Sequence, residues 1–170
     1  MEQTSGTTQT LTSVHSNYSD NVWVCGYAGT VLRSTNLGTT WLNVSGNGIP
    51  ANVLLINIVS IEPSTAIVAG YIGANTFVYR TSNNGANWSQ VFTETNGFIN
   101  AMVVKNFSST ECFMMGDPVG GRWSLWSTTN AGLNWDSTGR YLPQVGAEAG
   151  WNNSMFGTGT NICFGTNNSK

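Results

Sequence analysis

Three copies of one short pattern, set at an equal step, restrict this 170-residue chain more than any other feature. They read Ser34-Thr35-Asn36-Leu37-Gly38-Thr39-Thr40-Trp41, Thr81-Ser82-Asn83-Asn84-Gly85-Ala86-Asn87-Trp88 and Thr128-Thr129-Asn130-Ala131-Gly132-Leu133-Asn134-Trp135, and each begins 47 residues after the one before. A constant step between about 20 and 50 residues marks a repeat architecture, in which each unit buries its apolar faces against its neighbours.

The remainder of the unit repeats more loosely. A first apolar run recurs at Leu11 to Ser16, Leu54 to Ile61, Ile99 to Val104 and Gly150 to Phe156. A second ends in glycine each time, at Gly26, Gly70, Gly116 and Gly165. A third leads into each box as TVLRS, TFVYRT and WSLWST, and a short fourth follows each box tryptophan as WLNV, WSQVF and WDSTG. The runs are rich in β-branched and aromatic residues and are bounded by Gly, Asn, Ser and Pro, which predicts strands separated by tight turns. Four strands in a unit of about 45 residues is the arithmetic of a β-propeller blade. The chain therefore predicts an all-β propeller segment of about three and a half blades: an outer strand over 1–10, blades over 11–46, 53–93 and 98–140, and a half blade over 150–170. No stretch of useful length carries the 3.6-residue period of a helical repeat.

Inside each box the Ser or Thr opens the turn and the Asn side chain bonds the turn backbone and tolerates left-handed geometry. The Gly supplies positive φ, and the Trp anchors the hairpin on the sheet. Ser34, Asn36, Gly38, Trp41, Thr81, Asn83, Gly85, Trp88, Thr128, Asn130, Gly132 and Trp135 are thus expected to be structural. This S/T-x-N-x-G-x-x-W pattern resembles the Asp-box, or BNR repeat, of sialidases and other propellers, with Asn in place of the usual Asp in all three copies. The resemblance implies a peripheral, structural box. Over most of the chain, including QTSGTTQTLTSVHSNYSDNVWVCGYAGTVLRSTNLGTTW, MMGDPVGGRWSLWSTTNAGLNW and the final LPQVGAEAGWNNSMFGTGTNICFGTNNSK, the sequence resembles photosystem II stability/assembly factor-like propellers. That family is widespread in secreted bacterial proteins, which implies a secreted or cell-surface location.

Composition narrows the partners. Six Lys and Arg against eight Asp and Glu give a net charge of −2, far from the positive field a nucleic-acid partner requires. Polarity comes mostly from neutral groups, with 21 Asn and 21 Thr, while seven Trp, seven Phe and five Tyr supply apolar bulk, a mixture that opposes disorder. No apolar run approaches the roughly 18 residues of a spanning helix. The first residues have neither the basic nor the apolar region of an export signal. Three cysteines without C-x-x-C spacing and a single histidine predict no metal site and no cofactor, and the thiols read as small buried hydrophobes.

Catalytic constellations are sparse. A sialidase needs an arginine cluster, and only Arg33, Arg80, Arg122 and Arg140 are present, two of them at equivalent places before a box. Glycosidic hydrolysis otherwise needs two carboxyl groups about 5 to 10 Å apart, for which Glu62, Glu94, Glu111, Asp117, Asp136 and Glu148 are the candidates. Asp117, in MGDPVGG, reads either as a carboxylate at a ligand-facing loop or as an Asp-Pro turn bonding its own backbone. Glu148 could reach the central funnel, and His15 reads as a packed side chain. The sequons Asn17 to Ser19 and Asn106 to Ser108 are ordinary in so Asn-rich a chain.

Three functional readings follow. The first is a non-catalytic extracellular binding or structural module, taking a protein or glycan through Trp23, Tyr27, Tyr71, Asp117, Arg122 and Trp123 near the loops. The second is a fragment of a propeller-type, sialidase-like glycoside hydrolase. The third is a subunit of an extracellular assembly or filament, since an open arc predicts self-association or cover by the remaining blades of a longer chain.

Overall fold

The β-branched and aromatic runs become strands in the computed structural model, which describes residues 3–18, 20–106, 110–158 and 161–167. The first sheet contains β1 (Leu11–Tyr18), β2 (Asn21–Gly26), β3 (Val31–Ser34) and β4 (Leu42–Asn43). The second contains β5 (Leu54–Glu62), β6 (Thr65–Ile72), β7 (Asn75–Thr81) and β8 (Ser89–Thr95). The third has β9 (Ile99–Val104), β10 (Cys112–Val119) and β11 (Arg122–Thr128), and the last pairs β12 (Gly150–Thr158) with β13 (Asn161–Thr166). All pairings are antiparallel between consecutive strands, and no helix occurs among the described residues, so none is long and apolar enough to cross a membrane. This is a β-propeller arc of blades and part of a further blade.

The blades pack face to face. Trp23, Val31, Val44, Leu55 and Trp88 form one buried cluster between the first two sheets, and Ile61, Ile67, Val78, Met102 and Met114 form another between the second and third. A smaller cluster of Ala101, Met115 and Trp123 lies toward the last pair, with Met155 and Phe164 against it. β5 and β6 are buried along nearly their whole length, as strands sandwiched between two neighbours must be.

Each inner strand carries an irregularity beside the glycine that ends the second strand. The register slips between Leu11 and Ser13, between Leu55 and Asn57, and opposite Gly116. A Cβ on Gly26, Gly70 or Gly116 would run into the backbone carbonyl of Thr10, Leu54 or Phe98, so only glycine lets the strands close at that point. The inner strands are then cross-linked: Thr12 Oγ1 donates to the Leu55 carbonyl at 2.7 Å, Asn57 Nδ2 to that of Asn100 at 3.0 Å, and Asn100 Nδ2 to that of Gly150 at 3.3 Å.

Two expected strands are absent. Residues 3–10 form no strand; Gln3 lies against Gly38 of the first box, and at the far end the Thr10 carbonyl accepts from the Tyr27 amide at 2.9 Å. After Trp135 the expected fourth strand shrinks to two isolated bridges on β11, Arg122 with Pro143 and, next to the box, Ser127 with Asp136. There Asp136 Oδ1 accepts from the Thr138 backbone and hydroxyl at 3.0 and 2.7 Å, turning the chain before a ladder can extend. Ser19, Phe107 and Ser108 of the two sequons, and residues 168–170 at the end of the expected half blade, lie outside the described residues.

Candidate functional site

An up-and-down blade has two rims. One carries the turn from first to second strand and the box; the other carries the turn from second to third strand and the links between blades.

The box rim is built identically three times. Ser34 Oγ accepts from the Gly38 and Asn36 amides at 2.8 and 3.2 Å and donates to Asn36 Oδ1 at 2.9 Å, which also accepts from the Thr40 amide at 2.9 Å. Thr81 with Asn83, and Thr128 with Asn130, make the same set. The left-handed residues, however, are not the asparagines. They are the next two, Leu37 and Gly38 (φ 55° and 83°), Asn84 and Gly85 (61° and 84°), and Ala131 and Gly132 (54° and 82°). Each first member turns its amide onto the neighbouring turn, at Asp20, Ser64 or Thr110 (3.3, 3.0 and 2.9 Å), which offsets the roughly 1–2 kcal/mol cost of left-handed geometry in a non-glycine residue.

The box also joins blades. Trp88 Nε1 donates to the Val44 carbonyl at 3.0 Å, and the Trp88 amide to that of Asn47 at 2.8 Å. Arg80 Nε donates forward to the Ala131 carbonyl of the next box at 2.6 Å. Arg33 instead lies over the Trp23 ring at 5.3 Å and bonds Asn21 Oδ1 at 2.6 Å. Trp41 and Trp135 are half-buried, so Trp88 is the deepest of the three anchors.

The opposite rim does not repeat its chemistry. Tyr27, Tyr71 and Asp117 occupy equivalent places, each directly after the glycine that ends a second strand. Tyr27 is exposed, Tyr71 packs on Phe98 with ring centroids 4.9 Å apart, and the Asp117 amide bonds the Phe98 carbonyl at 2.9 Å. Arg122 is exposed at the start of β11. Trp23 and Trp123, expected near the loops, are corrected: they are 0% and 2% exposed and belong to the cores between blades, because their strand positions point at the next blade. Phe98 escaped the sequence reading, although its place just before an apolar run was its signal.

Each candidate carboxylate has a hydrogen-bond or ion-pair partner. Asp117 Oδ1 accepts from the Gly150 amide at 2.7 Å, so it clasps the next inner strand rather than its own turn. Glu148 accepts from the Val145 amide at 3.1 Å in its own exposed turn. Glu62 bonds Thr65, Glu111 pairs with Lys105, and Asp136 bonds Thr138. Glu94, between the second and third blades, accepts from Ser124 Oγ, to which Trp126 Nε1 also donates at 2.9 Å. Burial pushes the Glu94 carboxyl up, against the pull of Ser124 and the Arg122 guanidinium. Burial also raises the Cys25 and Cys112 thiols to about 12, leaving them unreactive at neutral pH. His15 Nδ1 accepts from the Ser60 amide at 3.0 Å across the first blade interface, and burial lowers its pKa. Among the described residues no group of three or more His, Cys, Asp or Glu could hold a metal.

The family model for photosynthesis system II assembly factor YCF48 matches residues 1–107. The chain belongs to that family. No curated protein matches it. Among solved structures, a YCF48 bound to D1 peptide aligns with 85% of this chain and 44% of its own, at TM-score 0.62 and 16% identity. YCF48 from Cyanidioschyzon merolae aligns with 75% and 36%, at TM-score 0.52 and 20% identity. The Niastella koreensis GH74 enzyme aligns with 85% and 23%, at TM-score 0.54 and 14% identity. This YCF48-family chain thus spans less than half the length of each of these structures, and the likeness establishes the shared propeller fold.

Proposed function

We propose that this YCF48-family chain is a non-catalytic protein-binding module that works outside the cytoplasm and recognises a peptide segment on the rim opposite the boxes. The observation that carries the reading is the contrast between the rims: invariant self-bonded turns on one, and unrepeated aromatic and charged groups on the other. Tyr27 and the Tyr71–Phe98 pair offer rigid apolar surface, the kind that anchors protein interfaces, and Arg122 and Asp117 add directional polar groups. A related propeller takes a D1 peptide, which supports a peptide as the ligand class. Hydrolysis is disfavoured because the candidate carboxylates are engaged in holding turns and strands.

The test is selection of binding peptides from a random library on the intact chain, followed by titration of the best one against variants. Tyr27→Ala and Arg122→Ala should each weaken binding about tenfold, an effect of interface-anchor size, while Asn134→Ala on the box rim should leave it unchanged. Equal loss from both rims, or hydrolysis of xyloglucan by the chain, would overturn the reading. Appearance of the native gene product only in the cytoplasmic fraction would overturn its placement.

A further inference from the structure

Two blade interfaces are sealed by a box from the following blade. At the first, Trp88 is 4% exposed and stands edge-on to Trp23, centroids 6.1 Å apart, with its indole bonded to the Val44 carbonyl. At the second, the third box seats Gly132 against Ile67, and Arg80 holds the Ala131 carbonyl. The third interface, between the third sheet and the β12–β13 pair, has a matching wall around a cavity of about 290 Å³.

The correspondence holds by position. Counting back from the glycine that ends each second strand, Phe113 stands where Trp23 and Ile67 stand. Counting from the boxes, Leu125 matches Val31, while Tyr141 and Leu142 match Asn47 and Gly48, the residues beside the Trp88 backbone. All four line the cavity, with Phe164 opposite.

The cation of the wall is retained by a different residue. Position 127, equivalent to Arg33 and Arg80, is serine. Arg140 fills the gap: its Nε and Nη2 bond Ser127 Oγ at 2.9 and 2.6 Å, and its guanidinium lies 5.2 Å from the Phe113 ring centroid, against 5.3 Å for Arg33 over Trp23. A guanidinium has five N–H donors, so further donors remain for a carbonyl, the role Arg80 performs toward Ala131.

We propose that this cavity is a receptor for a box hairpin: a tight glycine turn that presents a backbone carbonyl to Arg140 and a tryptophan ring to Phe113, Leu125 and Phe164. The occupant is a peptide of box chemistry, for which the two sealed interfaces of this chain are the template. Tyr141, 69% exposed, and Leu142, 41% exposed, form the lip over which it enters.

The experiment titrates a fluorescent hairpin peptide with the sequence of residues 78–92, which contains the second box, against the intact 170-residue chain. Saturable one-to-one binding is expected. It should fall about tenfold or more when the peptide tryptophan is replaced by alanine, and similarly in the protein variants Arg140→Ala and Tyr141→Ala, as for other buried anchors. Arg140→Lys should restore little, because an ammonium lacks the planar fork. Tyr141 is mostly exposed, so Tyr141→Ala keeps the test open if Arg140→Ala fails to fold. Absence of saturation, equal binding of the tryptophan-free peptide, or undiminished binding by Tyr141→Ala would each overturn the proposal.

Discussion

The two rims of each blade solve opposite problems. On the box rim, a hydroxyl, a carboxamide and a glycine satisfy one another within a few residues, and the same bonds appear in all three copies to within a few tenths of an ångström. On the other rim the equivalent positions are Tyr27, Tyr71 and Asp117, and each meets different neighbours. Repetition therefore marks the part of the molecule that holds the blades, and the other rim is where side chains differ from blade to blade.

The sharpest way to break this contrast is to remove the deepest box anchor. Trp88→Ala should cost about 3–5 kcal/mol, the usual range for an aromatic-to-alanine change in a core, read as a lower midpoint in urea. Trp41→Ala, at a half-buried site, should cost clearly less. Equal costs would mean that the box tryptophans do not differ in their interblade role. Next comes Gly85→Ala. Its φ is 84°, and a Cβ there would lie 2.7 Å from Val44 Cβ, so strain and overpacking together predict about 2–4 kcal/mol. Gly46→Ala, at φ 73° with nothing within 4 Å, should show only the roughly 1–2 kcal/mol backbone cost. On the other rim, Arg122→Ala should move stability by no more than about 0.5 kcal/mol, as exposed substitutions do, while weakening the selected peptide. A large loss of stability there would assign that rim a structural role as well.

The smallest expected effect is electrostatic. Burial holds the native His15 pKa below its ordinary 6.5, so the folded chain binds fewer protons than the unfolded chain in that window. Its contribution is complete above 6.5 and is lost as pH falls toward the lowered native value. Glu94 has the opposite sign: its native pKa lies above 4.5, so its contribution is present below 4.5 and is lost as pH rises through the raised value. Urea midpoints measured across this range should lose the His15 component in His15→Gln and the Glu94 component in Glu94→Gln. An unchanged profile in both would remove burial as the cause.

Much of the architecture was legible because its determinants are close in sequence. Ser34, Asn36 and Gly38 bond one another across two to four residues, so spacing alone exposes the turn, and three equal spacings expose the blade. Even there, the left-handed residue proved to be Leu37 rather than Asn36, since the asparagine carbonyl must stay aimed at the Thr40 amide. The candidate site was legible only by rim. Tyr27, Tyr71, Asp117 and Arg122 were found from their place near glycine turns, whereas Trp23 and Trp123 were misplaced because alternation along a strand does not say which face meets a neighbour.

The sequence by itself determined the strand order, the three boxes and the repeat, since local hydrogen bonding and side-chain periodicity suffice for them. Only the tertiary structure decided that Trp23 belongs to a core, that Asp117 reaches 33 residues ahead to Gly150, and that Arg140 takes the place of a missing strand arginine over Phe113. Those contacts join segments that become neighbours only when blades stack, and their partners are chosen by packing rather than by proximity along the chain.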